Sequence, residues 1–211
     1  MQRHLEERAF TLIELLVVIA IIIILAGLLF PAFSAVQNQA RRTQAKNDLT
    51  QIVTAVNAYY TEYGQYPLPS TATTDTIYGP GGSTTNNALF NELRACTAVD
   101  PSCSAASVLN TRKIVYISPP AVKDPSQPKS GIGTTSSTGQ YFDPWGTPYN
   151  VEIDGNYDNQ ITTNPYLDTD NSAGGSPLHL GVIGWSYGSD TKLGINGNGI
   201  YKNSDDVISW Q

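Results

Sequence analysis

The pattern of polar and apolar positions changes character twice before residue 65. A short polar stretch, MQRHLEERA, leads into an apolar run that starts at Phe10 and carries no polar side chain from Leu15 to Phe30. As a helix rising about 1.5 Å per residue, Phe10 to Phe33 extends about 36 Å, enough to cross the hydrocarbon core of a bilayer. The β-branched stretch VVIAIIII would suit a buried strand but is too long for one, and in lipid a helix satisfies its own backbone. Gly27 and Pro31 are the points where this helix can bend, because proline removes a backbone donor and crowds the preceding turn. From Ser34 to Tyr63 polar residues dominate, but Leu49, Ile52, Val53, Val56, Tyr59, Tyr60 and Tyr63 recur at three- and four-residue steps, which makes one apolar stripe. Arg41, Arg42 and Lys46 fall on the opposite face with Gln and Asn. Gly64 and Pro67 supply the stop. The pattern predicts one helix from about Thr11 to Glu62, its first half made for lipid or other helices and its second for carrying a domain.

Beyond residue 67 the periodicity is short-ranged. STATTDTIYGPGGSTTNN reads as loop, NALFNELRAC as a short helix, and KIVYISPPAV as a strand stopped by Pro119 and Pro120. KDPSQPKSGIGTTSSTGQ reads as a flexible connection. YFDPWGTPYNVEID is a turn feeding a strand, HLGVIGWSYGSD a further strand, and DDVISW the last. The predicted fold class is α+β, a long N-terminal helix with a small antiparallel sheet packed on its C-terminal half.

Composition narrows the chemistry. The net charge is −6 and the Ile and Leu content is concentrated before Phe33. An acidic body argues against nucleic-acid binding, which needs Lys and Arg to displace counterions. Cys96 and Cys103, in CTAVDPSC, lack the CxxC spacing and histidine partners of a zinc site. They are either free thiols or a disulfide; export implied by the apolar run and the turn-forming Asp-Pro pair favour the disulfide. Catalytic patterns are missing: there is no GxSxG, HExxH or P-loop, and His4 and His179 stand alone. The aromatic residues, among them Tyr141, Trp145, Tyr149, Trp185 and Trp210, read as core in a Leu-poor domain rather than as a sugar- or peptide-binding surface. Near the C-terminus, Asp190, Asp205 and Asp206 bracket a Gly/Asn-rich loop. Such a loop offers carboxylates and backbone carbonyls to Ca2+, or it is simply a solvated turn. Asp154 and Asp158, and Asp168 and Asp170, are acidic pairs read as turns.

Glu14 is the misfit of the apolar run, since a charge in hydrocarbon must find a partner. The register in RAFTLIELLVVIAIIIILAG resolves it: polar leader, junction at Ala9–Phe10, Phe-Thr-Leu-Ile-Glu, then the apolar helix. This resembles the type IV pilin-like superfamily, and YYTEYGQYP, DPWGTPY and WSYGSD followed by DDVISW resemble the major pseudopilin of type II secretion systems. The resemblance implies the pilin fold and an organisation into a leader over 1–9, a transmembrane or filament-core helix over 10–33, the amphipathic half of that helix over 34–64, a variable region over 65–140 and a C-terminal β region over 141–211. It implies that a prepilin peptidase cuts between Ala9 and Phe10 and methylates the new amine of Phe10. The family usually carries Gly where Ala9 stands. Pro31 matches a helix-distorting proline. Glu14 would pair with the Phe10 amine of a neighbouring subunit, setting the register of assembly, whereas a lone subunit would leave it unpaired or protonated. The terminal aspartates would hold a structural Ca2+, with Asp190 and Asp206 matching best and Asp205 displaced by a residue.

The function so implied is non-enzymatic. It is a single-pass inner-membrane subunit with a periplasmic domain, polymerising with other pilin-like subunits through the inner-membrane assembly machinery into a pseudopilus for protein secretion. A true type IV pilin of a surface filament is the nearest alternative. An exported soluble binding protein, with a signal peptide cut before Ala35, is the alternative of a different class.

Overall fold

The computed structural model describes residues 11–167 and 170–211, and the side chains of 28–32 lie outside that description. The chain divides into two compact units, Met1–Ala40 and Arg41–Gln211. Helix α1 runs from Leu12 to Tyr63. Its residues from Leu12 to Leu25 present large apolar side chains to the outside on every face, with Ile19 and Ile23 49% and 68% exposed. Among the described residues no helix is long and apolar enough to cross a membrane. The apolar stretch with described side chains, Leu12 to Gly27, rises only about 24 Å, short of the about 30 Å that a bilayer core requires.

In the second unit the stripe works as its spacing requires. Leu49, Ile52, Val56 and Tyr59 are fully buried, joined by Ala45 and Ala55. Tyr60 leaves the stripe for the surface, where its ring stacks on Tyr66. The outer face of α1 carries Thr50, Thr54 and Thr61, whose hydroxyls donate to the carbonyls of Lys46, Thr50 and Asn57 at 2.7–2.9 Å. The Gly64 N–H closes the helix on the Tyr60 carbonyl. The polar face is not all solvent-facing, however: Arg42 and Lys46 are half-buried against the C-terminal segment.

A four-stranded antiparallel sheet has the order β1 (Thr76–Tyr78), β4 (Asn150–Ile153), β5 (Val182–Ser186), β6 (Val207–Ile208). A separate pair joins β2 (Gly131–Ile132) to β3 (Tyr141–Phe142). The register sets Val151 opposite Gly184 and Ile153 opposite Val182. That face meets α1 and the short helix α2 (Asn87–Leu93) in one core with Leu49, Tyr59, Leu89, Phe90 and Leu93. Gly184 lets the helix come close, since a Cβ there would sit 3.2 Å from a Leu49 methyl. The alternate residues Ile183 and Trp185 face a second core with Ile161, Tyr166, Leu178 and Ile208. Both sheet faces are thus covered, and the aromatics Tyr141, Tyr149 and Trp185 are core residues.

Three expectations change. Ile114–Pro120 forms no strand among the described residues, because the Tyr116 and Ile117 N–H groups both turn to the Leu93 carbonyl instead of alternating; an isolated bridge, Ala121 to Ile132, follows it. Conversely, the stretch read as loop holds β1, and the connection read as flexible holds β2. Glu92, buried on α2, accepts the backbone N–H groups of Val108, Leu109 and Asn110 at 2.9 Å. Side-chain hydrogen bonds therefore do in this region what strand pairing does elsewhere.

Candidate functional site

Two regions carry the candidate chemistry. At the first, Glu14 Oε2 accepts both the Thr11 N–H and the Thr11 hydroxyl at 2.8 Å, while the Glu14 N–H donates to Thr11 Oγ1 at 3.3 Å. This reciprocal arrangement is a capping box, and T-x-x-E is its sequence signature. Within one chain Thr11 is thus a hydrogen-bond partner of Glu14, and the carboxylate closes the start of α1. A reading that weighed Glu14 only against lipid overlooked that local signal. Ala9 and Phe10 lie outside the described residues. Pro31 falls within the helical span of α1, with its side chain outside the description.

The second region is the loop between β5 and β6. One carboxylate oxygen each of Asp190, Asp205 and Asp206 lie within 4.8 Å of one another. Asp206 is 1% exposed; its Oδ2 accepts the Gly194 N–H and the Tyr166 hydroxyl, both at 2.7 Å. Its Oδ1 is buried without a partner among the described residues. Burial pushes the Asp206 carboxyl up to about 6, and repulsion from Asp205 and Asp190 adds to the rise. Asp205 Oδ2 is occupied by the Ser189 N–H and hydroxyl and the Asp190 N–H. Gly188 (φ 67°) admits this approach, because a Cβ there would meet the Asp205 carbonyl oxygen at 2.5 Å. Three close carboxylates with one orphaned buried oxygen fit a hard, oxygen-seeking cation. Sequence spacing placed these residues near one loop; it did not show that Asp206 alone would be buried.

The loop is seated from below. Arg42 donates to the carbonyls of Ser204 (3.1 Å) and Asp206 (3.4 Å). Lys46, one turn on, donates to Ile208 (2.8 Å), Ser209 (3.3 Å) and Gln211. The DPWGTPY turn locks the start of the loop. Asp143, fully buried, takes the N–H groups of Trp145, Gly146 and Thr147 on Oδ1 and the Ser186 hydroxyl on Oδ2 at 2.6 Å. Burial raises its carboxyl, against those hydrogen bonds.

The remaining predicted residues have local roles. Cys96 and Cys103 form a disulfide, with Cα atoms 5.8 Å apart, and Arg94 bonds Ser102 within the same loop. Asp154 accepts the Tyr157 and Asn159 N–H groups, as a turn does. Asp158 bonds Asn156 and Gln160, and Asp170 pairs with Lys202. Asp168 lies outside the described residues. His179 is exposed beside the bridge between Ile161 and Leu178.

Comparison with known proteins bears on the first region. The family model of the prokaryotic N-terminal methylation motif matches residues 6–30. The type IV major pilin protein PilA of Myxococcus xanthus is 41% identical over 61 residues, 29% of this chain and 28% of its own. Type II secretion system core protein G of Pseudomonas aeruginosa is 40% identical over 67 residues (32% of this chain, 46% of its own). The same protein of Pectobacterium carotovorum is 33% identical over 66 residues (31% and 42%). The chain thus spans less than half the length of the curated relatives it matches. No solved structure matches. The methylation motif, the T-L-I-E register and these relatives make a part of the chain that includes its N-terminal segment similar to proteins of the type IV pilin-like superfamily.

Proposed function

We propose that this pilin-like subunit is cleaved between Ala9 and Phe10, N-methylated on Phe10, and polymerised into a periplasmic pseudopilus for type II secretion. Its role is structural rather than catalytic. The observation that carries the reading is the methylation motif at residues 6–30, running directly into a helix whose apolar side chains are exposed all round. Each such side chain gains about 1.5–3 kcal/mol when covered. Before assembly inner-membrane lipid covers them, with Phe10 and residues 28–32 completing the span; afterwards the helices of neighbouring copies do.

In that setting Glu14 changes partner. An exposed capping box is worth about 1 kcal/mol. A desolvated carboxylate gains more from a cationic amine than from a hydroxyl and one N–H. The Phe10 amine of the next copy, made only by cleavage, therefore displaces Thr11, and the register of stacking follows. Asp190, Asp205 and Asp206 would hold Ca2+, whose charge would offset their repulsion and occupy the orphaned Asp206 oxygen.

A surface type IV pilin is the second reading, favoured by the likeness to PilA. The two protein G relatives, and the DPWGTPY turn tied to the terminal loop through Asp143 and Ser186, support the pseudopilin. Mass spectrometry of the mature N-terminus tests the processing: methylated Phe10 is expected, and a chain starting at Ala35 would identify an exported soluble protein instead. Export of secretion substrates by a strain lacking this subunit, against surface filaments on the same cells, separates pseudopilus from pilus.

A further inference from the structure

The loop that joins the acidic residues carries INGNG, Ile195–Gly199, with two Asn-Gly pairs in tandem. Asn-Gly is the dipeptide at which an asparagine side chain most readily closes on the following backbone nitrogen, because glycine has no Cβ to obstruct the approach and allows wide φ/ψ excursions. Closure needs two freedoms: the asparagine amide must rotate, and the next backbone nitrogen must be able to turn towards it. The two pairs differ in both.

At the second pair both freedoms are taken. Asn198 Oδ1 accepts the Ile200 N–H at 2.9 Å, and the Gly199 N–H donates to the Leu193 carbonyl at 3.1 Å. At the first pair, no side-chain hydrogen bond among the described residues holds Asn196, and the Gly197 N–H is held only within the single 3-10 turn Ile195–Gly197. Asn196 and Gly197 are exposed, Asn196 has φ 54°, and a Cβ placed on Gly197 would meet nothing nearer than 3.9 Å. Open space therefore surrounds the reacting atoms.

We infer that Asn196 is a site of spontaneous deamidation in the folded protein and that Asn198 is protected by the fold. The Gly197 nitrogen attacks Asn196 Cγ, a new N–C bond closes a five-membered succinimide, the Cγ–Nδ2 bond breaks, and ammonia leaves with the proton given up by Gly197. Water then opens the ring at either carbonyl, giving an aspartate or an isoaspartate at position 196. No oxidant or enzyme enters. Either product adds a carboxylate to the loop between Asp190 and Asp205. The isoaspartate also lengthens the main chain there by one methylene. The inference stands on the loop's hydrogen bonds and is independent of whether the chain is a pseudopilin or a pilin.

Peptide mapping by mass spectrometry, after incubating the full chain in mildly alkaline buffer with and without urea, tests it. Two hydrogen bonds must open before Asn198 reacts, so Asn196 should be modified about tenfold faster or more in the folded chain. In urea, which removes those bonds, the two rates should converge. Asn196→Gln should abolish the fast modification and leave the far-ultraviolet spectrum unchanged. Equal rates at both positions in the folded chain would overturn the inference, as would modification confined to Asn198. No modification in the folded chain while the urea sample reacts would overturn it too.

Discussion

Glu152 offers a quantitative test of how the sheet is built. It is the central polar residue of β4, opposite Ile77 on β1 and Ile183 on β5 and only 4% exposed. Among the described residues its Oε2 is buried without a partner, as is Oδ1 of Asp75, whose other oxygen accepts the Thr162 N–H. Burial pushes the Glu152 carboxyl from 4.5 up to about 7, with Asp75 adding to the rise. The folded state therefore holds a proton that the unfolded chain has already released, and stability falls as pH rises between these two values. The contribution is fully present below 4.5 and is lost as pH passes about 7. At about 1.4 kcal/mol per pH unit, the loss amounts to about 3 kcal/mol. Glu152→Gln keeps the shape of the protonated acid and removes the titration. Urea unfolding followed by tryptophan fluorescence at a series of pH values measures both proteins. Asp48 and Asp143 are also raised by burial and give slopes of the same sign, so the quantity to read is the difference between variant and parent. The variant should match the parent at the acid end and exceed it on the alkaline side by about 3 kcal/mol, roughly 1 M in urea midpoint. A variant with the parent's full pH slope would show that Glu152 is not the group that titrates. One less stable than the parent at every pH would refute the reasoning.

Other perturbations test other supports. Glu92→Ala strands three backbone N–H groups, that of Asn110 buried and the other two partly so, and should cost about 2–3 kcal/mol in the same assay, with Glu92→Gln intermediate. Replacing Cys96 and Cys103 by serine should cost about 2–3 kcal/mol, as the loop they close is short, and reduction of the parent should reproduce the loss. Calcium should raise the thermal midpoint of the parent and EGTA should return it, with Asp190→Ala insensitive to both; equal midpoints in parent and variant would remove the cation from the loop. Glu14→Ala should be cleaved and methylated normally yet fail to form filaments, as seen by electron microscopy of sheared cells. Normal filaments would end the proposed exchange of partners.

The sequence was most readable where periodicity is long. Leu49, Ile52, Val56 and Tyr59 announce a helix and its buried face because an apolar stripe that keeps a 3.6-residue period over many turns matches helical geometry and not the two-residue alternation of a strand. Thr76–Tyr78 and Gly131–Ile132 are too short for a two-residue alternation to rise above chance, and their pairing depends on partners far along the chain. Ile114–Pro120 misled in the opposite direction, since β-branched content reports a preference and Leu93 supplies the competing acceptor. In the terminal loop, the three aspartates were legible as a set. Arg42 and Lys46 were not, because the carbonyls they bind belong to any residue and leave no mark in the sequence. The capping box was written in four adjacent letters, and only the competing weight of the apolar run hid it.

Thr50, Thr54 and Thr61 give their hydroxyl protons to carbonyls one turn back. A threonine so bonded spends its donor on its own helix. Hydropathy scales score these positions as hydrophilic, yet each hydroxyl proton is already used within the helix and only the acceptor side of the oxygen is left for water, so the wetting of this face is poorer than its letters indicate. Any average that treats threonine as uniformly polar will overstate how strongly this part of the helix holds its hydration.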